Sequence, residues 1–341
     1  LLATIIDQFA ALDLHPDRLS NTQMGYVFEE LLRKFSEMSN ETAGEHYTPR
    51  SVVALAARLA IQEDPRLRSR TKQATKIYDP TCGTGGMLTA GEEYLHENVT
   101  KIRDLIELYG QERNDESYAI AKADLLLKGY EANNIRLGST LSNDQLPDLQ
   151  ATYALANPPF GVEWKADRIA VHQEAQEQGM SGRFGAGTPP VSDGSLLFVQ
   201  HIVSKLDPAG GRAAIILNSS PLTNGDAGSG ESNIRKWLLE NDLIEAIVAL
   251  PKEMFYNTGI STYIWVLSKK KTPARKDTVQ LIDARHLYTK MRKALGSKRH
   301  EIEAEHIDEI IRLYREKGDS DTSKLIPIKE FFFQKITVER P

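Results

Sequence analysis

The chain is predicted to be an α/β protein, an open and mostly parallel sheet wound on both faces by helices, preceded by a helical N-terminal region. Three observations predict this. From Lys76 onward, short apolar runs alternate with helix-period stretches, the signature of βα units in a largely parallel sheet. A glycine-rich segment, Asp79 to Gly86, stands between the first strand and the first helix of that series. The first 62 residues, in contrast, carry helical stripes and no strand candidate.

Within that first region, Met24, Val27, Phe28, Leu31, Leu32 and Phe35 form a helix-period stripe over Thr22–Phe35. Thr48-Pro49 predicts a helix start, with Thr48 as N-cap and Pro49 in the first turn, where its missing N–H costs nothing. The helix then runs over Ser51–Ile61. Strands are predicted at Lys76–Asp79, Leu105–Tyr109, Ile135–Leu137, Tyr153–Ala156, Arg212–Leu217, Ile244–Leu250, Tyr263–Leu267 and Val279–Ile282. Between them lie helices at Met87–Glu97, Ser117–Lys128, Ser195–Lys205 and Ile234–Glu240, with a charged helix over 301–316. Residues 161–194 are polar, with Gly179, Gly182, Gly185 and Gly187 before Pro189-Pro190. A loop longer than about 15 residues inside a domain is functional or disordered. The expected division is a helical region 1–62 and a catalytic domain 63–341, with loop 161–194 and a C-terminal extension 284–341.

Composition sets limits. A length of 341 residues gives a soft prior of about two domains. No apolar run reaches the ~18 residues of a membrane span. One cysteine, Cys82, excludes a disulfide framework and a CxxC zinc site, and the histidines show no metal spacing. With no signal peptide at its start the chain is expected to be cytoplasmic. Residue 1 is Leu rather than Met, and Lys335 to Pro341 has strand character without a closing element, so further protein is expected at one or both ends. Lys+Arg number 42 against 47 Asp+Glu, a net charge of −5. A stand-alone DNA-binding domain is usually basic, so any nucleic-acid surface here is local or comes from a partner.

In open parallel sheets ligands bind at the carboxyl ends of strands, so the segments that follow strands are the site candidates. Asp79-Pro80-Thr81-Cys82-Gly83-Thr84-Gly85-Gly86 follows the first strand. Its glycines allow a sharp turn and close backbone approach, and the helix behind presents free N–H groups. It is not the GxGxxG dinucleotide fingerprint, because Leu88 takes the last place, and no Gly-Lys-Ser/Thr makes it a P-loop. A strand-end acid without a phosphate-cradling lysine suits a cofactor without phosphates. Glu112, after the second strand, is placed to accept both hydroxyls of a ribose, although alone it would be an ordinary loop acid. Cys82 lacks a neighbouring base and is expected to pack.

Asn157-Pro158-Pro159-Phe160 follows the fourth strand. The prolines fix φ and remove donors, and Pro158 drives Asn157 out of the helical region. The resulting turn offers two acceptors, the Asn157 side-chain oxygen and the Pro158 carbonyl, with the flat face of Phe160 beside them. Two acceptors on the hydrogens of a planar amino group localise its lone pair and stabilise the positive charge that develops on attack at a methyl sulfonium.

With these residues together, the chain resembles a DNA adenine-N6 methyltransferase of the gamma class. More specifically it resembles the modification (methyltransferase, M) subunit of Type I restriction–modification enzymes. The resemblance covers almost the whole chain. It includes the segments Met24 to Leu31, Gly44 to Arg50, Asp193 to Phe198, Gly210 to Leu217, Phe255 to Ile260 and Thr337 to Pro341. It implies a Rossmann-like, seven-stranded S-adenosylmethionine-dependent methyltransferase fold. It also implies that Tyr47, Thr48 and Pro49 lie over the methionine end of S-adenosyl-L-methionine, with Thr48 and Asp79 addressing that end. Thr81, Cys82, Gly83, Thr84, Gly85 and Gly86 would pack against the cofactor and Glu112 would hold the ribose. Ser139 or Asp144 would take the part of an acid that the family often carries after the third strand. Asn157 would border both cofactor and base; Asn157, Pro158 and Pro159 would grip the target amine and Phe160 would stack on its ring. The implied partners are double-stranded DNA with a flipped adenine, one specificity subunit for two M subunits, and a restriction subunit, with no membrane. Trp164, Lys165, Arg168 and Arg183 are candidates to touch the displaced strand. Lys269-Lys270-Lys271 with Arg275 and Lys276 makes a basic run best explained as a solvated turn. The alternatives are an RNA-adenine or protein-glutamine methyltransferase, or a non-catalytic scaffold. Phe160 and the helical N-terminus favour DNA, and the intact Asn157 and glycines favour an enzyme.

Overall fold

The computed structural model describes residues 48–333 apart from 63, 65, 66, 68–73, 99–104, 257 and 296, together with Arg18, Ile336 and Val338. The helical stripe of 22–35, the segments Met24 to Leu31 and Gly44 to Tyr47, and most of Lys335 to Pro341 lie outside the described residues.

A nine-stranded sheet organises the chain. Its strands are β1 (Thr75–Asp79), β2 (Ile106–Glu112), β3 (Ile135–Leu137), β4 (Tyr153–Ala156), β5 (Arg212–Asn218), β6 (Ile244–Ala249), β7 (Thr262–Ser268), β8 (Thr278–Asp283) and β11 (Ser323–Pro327). Their order is β11-β8-β6-β7-β5-β4-β1-β2-β3. β7 runs antiparallel to β5 and β6, and β11 antiparallel to β8; the remaining pairs are parallel. The seven-stranded sheet expected from the resemblance is thus extended by β8 and β11. β11 covers the β8 edge that would otherwise present unpaired backbone groups. A separate hairpin pairs β9 (Thr289–Leu295) with β10 (Lys298–Glu301).

Every residue of β4 and β5 is buried, as expected for central strands covered on both faces. One face packs against α1 (Arg50–Ala57), α2 (Gly86–Asn98), α3 (Asp115–Leu127) and α7 (Ala304–Glu316). The other packs against α5 (Ser195–Lys205) and α6 (Gly230–Glu240). α3 begins where its sequence directs: the Asn114 side chain accepts the Ser117 N–H at 2.9 Å, with Asp115 and Glu116 in the first turn.

The first helix departs from expectation. Pro49, not Thr48, is the N-cap residue, and its carbonyl accepts the N–H groups of Val52 and Val53. α1 ends at Ala57 and continues as a π-turn, Arg58–Gln62. Residues 52–61 pack into the same core as Ile77, Leu155 and Ile264, so this stretch, placed by sequence with the N-terminal region, belongs to the body of the sheet. Arg212 of β5 fastens it there, donating to the carbonyls of Ala60 at 2.8 Å and Leu59 at 3.2 Å. The same guanidinium grips Glu245 at 3.0 and 3.1 Å and donates to Tyr314 at 2.9 Å. Burial alone would push the Glu245 carboxyl up, yet Arg212, Arg275 and the Tyr314 hydroxyl hold it below its usual range. Removing one partner of such a group strands the others' charges in the interior. Glu245→Ala is expected to cost about 3–5 kcal/mol of stability, read as a lowered denaturant midpoint.

The stretch 161–194 is not an open loop. It contains α4 (Arg168–Gln178) and a 3-10 turn at Gly179–Ser181. A small core of Trp164, Val171, Phe184, Leu141 and Leu197 holds it together. Arg183 clamps it to the body: it pairs with Glu174, donates to the carbonyls of Thr140 at 2.8 Å and Leu141 at 3.1 Å, and meets His201 at 3.0 Å. Trp164 is 2% exposed and donates to the Pro190 carbonyl. Trp164 and Arg183 are therefore structural and do not form a free nucleic-acid surface, while Lys165 and Arg168 are exposed. The basic run is likewise half interior: Lys271 pairs with Asp242 and Arg275 with Glu245 and Gln280.

Candidate active site

A cavity of about 920 Å³ opens at the carboxyl ends of β1, β2, β3 and β4. Of the residues singled out by sequence, Thr48, Asp79, Thr81, Cys82, Gly83, Thr84, Gly86, Glu112, Ser139, Asn157 and Pro159 line it. Pro49, Gly85, Pro158 and Phe160 are not among the lining residues, and Tyr47 lies outside the described residues.

The glycine turn is built from both its ends. Gly83 and Gly85 have φ of +53° and +91°, values that a side chain disfavours. The Cys82 N–H donates to the Gln111 carbonyl at 3.1 Å and the Gly83 N–H to Glu112 Oε2 at 2.8 Å. Cys82 is buried, and a Cβ on Gly110 would come within 2.9 Å of its sulfur, so it packs as expected. An added Cβ on Gly86 would meet nothing within 4 Å, so the space over the start of α2 is open.

Glu112 is the last residue of β2, three residues beyond the strand end expected from sequence, because Gly110, Gln111 and Glu112 pair with β3. Its Oε1 accepts the Asn114 N–H at 2.7 Å. Each carboxylate oxygen thus takes one backbone donor and keeps a further lone pair. Asp79, at the end of β1, is 1% exposed, and its Oδ1 accepts the Thr81 N–H at 2.9 Å. Burial pushes the Asp79 carboxyl up to about 8, the Glu112 charge adds to this, and the bonds from Thr81 oppose it.

Asn157 lies just past β4. Its Nδ2 donates to Thr48 Oγ1 at 2.8 Å, while its Oδ1 is buried without a hydrogen-bond partner among the described residues. The Thr48 hydroxyl, freed from capping α1, therefore orients an amide 109 residues away. Pro158 is buried and Pro159 exposed. Phe160 is half-buried, edge-on to Phe255 with ring centres 5.8 Å apart. Of the two alternatives after β3, Asp144 turns away to pair with Lys205 at 2.5 Å, and Ser139 remains at the cavity. Residues that sequence reasoning missed, Thr140 and Asp167 among them, also line it, as does Trp164, which was expected at the displaced strand instead. Thr140 ties the β3 loop to the glycine turn through its bond to the Pro80 carbonyl. Among the described residues no group of His, Cys, Asp and Glu is arranged to hold a metal ion, and no helix is long and apolar enough to cross a membrane.

Two carboxylates at neighbouring strand ends, a glycine turn at an open helix start and an unpartnered amide oxygen form one wall. This donor and acceptor set fits a nucleoside with a cationic tail. Residues 19–334 match the family model of the N-6 DNA methylases, and the chain belongs to that family. It is similar to the Type I restriction enzyme MjaIX methylase subunit of Methanocaldococcus jannaschii, 28% identical over 97% of this chain and 55% of that protein. It is also similar to the EcoKI methylase subunit of Escherichia coli K12, 28% identical over 73% of this chain and 45% of the relative. A crystal structure of a Type I restriction–modification methyltransferase subunit from Streptococcus thermophilus superposes with a TM-score of 0.78, at 28% identity, over 96% of this chain and 64% of that one. The chain spans about half the length of the curated relatives it matches.

Proposed function

We propose that this chain is the catalytic part of an adenine-N6 DNA methyltransferase and serves as the modification subunit of a Type I restriction–modification complex. The observation that carries this is Asn157, with one amide end fixed by Thr48 and the other buried and unpartnered on the cavity wall. When bound, S-adenosyl-L-methionine supplies an electrophilic methyl group on a sulfonium. Asp79 is placed for the ammonium of its methionine end, with the turn from Thr81 to Gly86 packed alongside. Glu112 uses its remaining lone pairs for the ribose hydroxyls.

The target adenine must leave the duplex, because its amine is closed to in-line attack within the stack. Asn157 Oδ1 and the Pro158 carbonyl then accept its two hydrogens, drawing the nitrogen toward tetrahedral geometry before any charge has formed. The acceptors are fixed in advance, so they need no reorganisation as positive charge grows on the nitrogen. Phe160, braced by Phe255, offers a face for the extruded ring. A net charge of −5 suits a subunit that a specificity subunit carries to its site, in the expected ratio of two to one, with a restriction subunit completing the assembly.

Calorimetric titration of S-adenosylmethionine into the chain, beside Asp79→Ala, tests the cofactor half. Saturable binding that the variant loses is expected. Addition of DNA and a specificity subunit should then yield N6-methyladenine. Methyl groups found instead on RNA or on glutamine would move the acceptor, and failure of the native chain to bind cofactor would favour a scaffold.

A further inference from the structure

Asp167 is a buried carboxylate on the cavity wall for which the expected roles have no use. It precedes α4 and is 5% exposed. Its backbone is held at both groups: the N–H donates to the Trp164 carbonyl and the carbonyl accepts the Val171 N–H, each at 3.0 Å. The side chain is aimed by two hydroxyls from the β3 loop. Ser139 Oγ donates at 2.6 Å and Ser142 Oγ at 2.5 Å, both to Oδ1. Among the described residues no cation pairs with Asp167, and Oδ2 takes no hydrogen bond. Oδ2 is left open to the cavity, where it can accept a hydrogen bond from a ligand.

Its position on the sheet says which part of a ligand it would meet. In the order β4-β1-β2-β3, Asn157 follows β4, Asp79 ends β1, Glu112 ends β2, and Ser139 comes just after β3. Ser139 lies two residues past Leu137, the register partner of Glu112. The β3 end is three strand spacings, about 14 Å, from the β4 end where Asn157 stands. A nucleoside with its ribose at Glu112 and its reactive end toward Asp79 and Asn157 has to direct its base toward β3. The insertion crosses from β4 over that same point and delivers Asp167. A carboxylate only accepts hydrogen bonds, so it selects a base edge that carries an N–H.

We propose that Asp167 Oδ2 accepts a hydrogen bond from the exocyclic amine of the cofactor's adenine, with Ser139 and Ser142 as positioning residues that hold its carboxylate. This rests on the S-adenosylmethionine reading of the cavity. It makes the insertion 161–194 part of the cofactor site.

The test is calorimetric binding of S-adenosylhomocysteine and of its 6-oxo counterpart, S-inosylhomocysteine, to the native chain and to Asp167→Asn. The analogue replaces the amine by a carbonyl, which would face the carboxylate oxygen to oxygen, and carries its N–H at N1, one ring position away from the atom Oδ2 is proposed to meet. The native chain is expected to bind the adenosyl ligand at least about 10-fold more tightly, the equivalent of one hydrogen bond with its desolvation. In Asp167→Asn the preference should shrink to near unity or invert, because an amide N–H can serve the carbonyl. Ser139→Ala should weaken adenosyl binding and narrow the preference in part, without lowering the thermal unfolding midpoint as a folding lesion would. Equal affinity of the native chain for both ligands overturns the Asp167 role while the cofactor reading stands. So does an Asp167→Asn variant that keeps the full native preference. If the native chain binds neither ligand, both readings fall.

Discussion

Asn157→Ala is expected to lower methyl transfer by about 10²–10³-fold, the usual loss when one preorganised transition-state partner is removed, while cofactor affinity falls far less. The reason lies in the split use of its amide. Nδ2 is committed to Thr48, so the side chain cannot swing to satisfy Oδ1, and Oδ1 stays buried without a donor. An orphaned buried acceptor costs about 1–3 kcal/mol, a cost that a ligand in the cavity would relieve at Asn157. Alanine removes the orphan together with the Nδ2 bond, so the two changes oppose each other and stability should move by no more than about 1 kcal/mol. Activity and stability are thereby uncoupled, and the pair of measurements separates a catalytic acceptor from a structural amide. Thr48→Val supplies a second reading. It leaves Oδ1 chemically intact but frees its orientation, and it should cost about 10-fold in transfer, the value of one hydrogen bond. Single-turnover rates at saturating cofactor, with a specificity subunit and DNA present, measure both. An alanine variant that methylates at the native rate would remove Asn157 from the chemistry.

Much of this site was legible in residue order because its parts follow strands. All eight strands expected from alternating apolar runs are present, since all but the edge strand β3 are largely buried on the sheet and must be apolar to be so. The glycine turn could be placed because positive φ demands glycine, and the Asn157 turn because proline restricts the backbone before it. What could not be read are bonds between segments far apart in sequence. Thr48 carries every local mark of an N-cap, yet its hydroxyl is spent on Asn157, and Pro49 takes the cap position. The insertion gave no helical signal because α4 buries only Val171. Its order comes from Trp164, Phe184 and the Arg183–Glu174 clamp, none of which shows a periodicity. β11 is an edge strand that ends in Pro327, which weakens any strand pattern. Asp167 was invisible for the same reason as Thr48: its partners Ser139 and Ser142 lie in a loop that precedes a different strand pair.

Asp79→Asn should abolish tight cofactor binding and, at the same time, make the ligand-free protein more stable at neutral pH. The native carboxyl stands at about 8, against about 3.9 in an unfolded chain. Between those values the folded state holds a proton that the unfolded state has lost, so native stability falls as pH rises through that window, by up to about 1.4 kcal/mol per pH unit, and levels off above about 8. Asparagine keeps an acceptor for the Thr81 N–H but does not titrate, so this slope should vanish in the variant. At pH 7 the variant gains at most about 4 kcal/mol, and a visible rise in unfolding temperature is expected. Binding reverses the logic. An ammonium beside Asp79 favours the ionised form, so association at pH 6.5 should release close to one proton to the buffer. Native affinity should weaken about tenfold for each pH unit below 8, whereas the weak residual affinity of the variant should be flat over the same range. Titration in two buffers of different ionisation enthalpy counts that proton. If none is released, and the Asn variant is no more stable than native at pH 7, then Asp79 is ionised before the ligand arrives and the turn around it is held for structure alone.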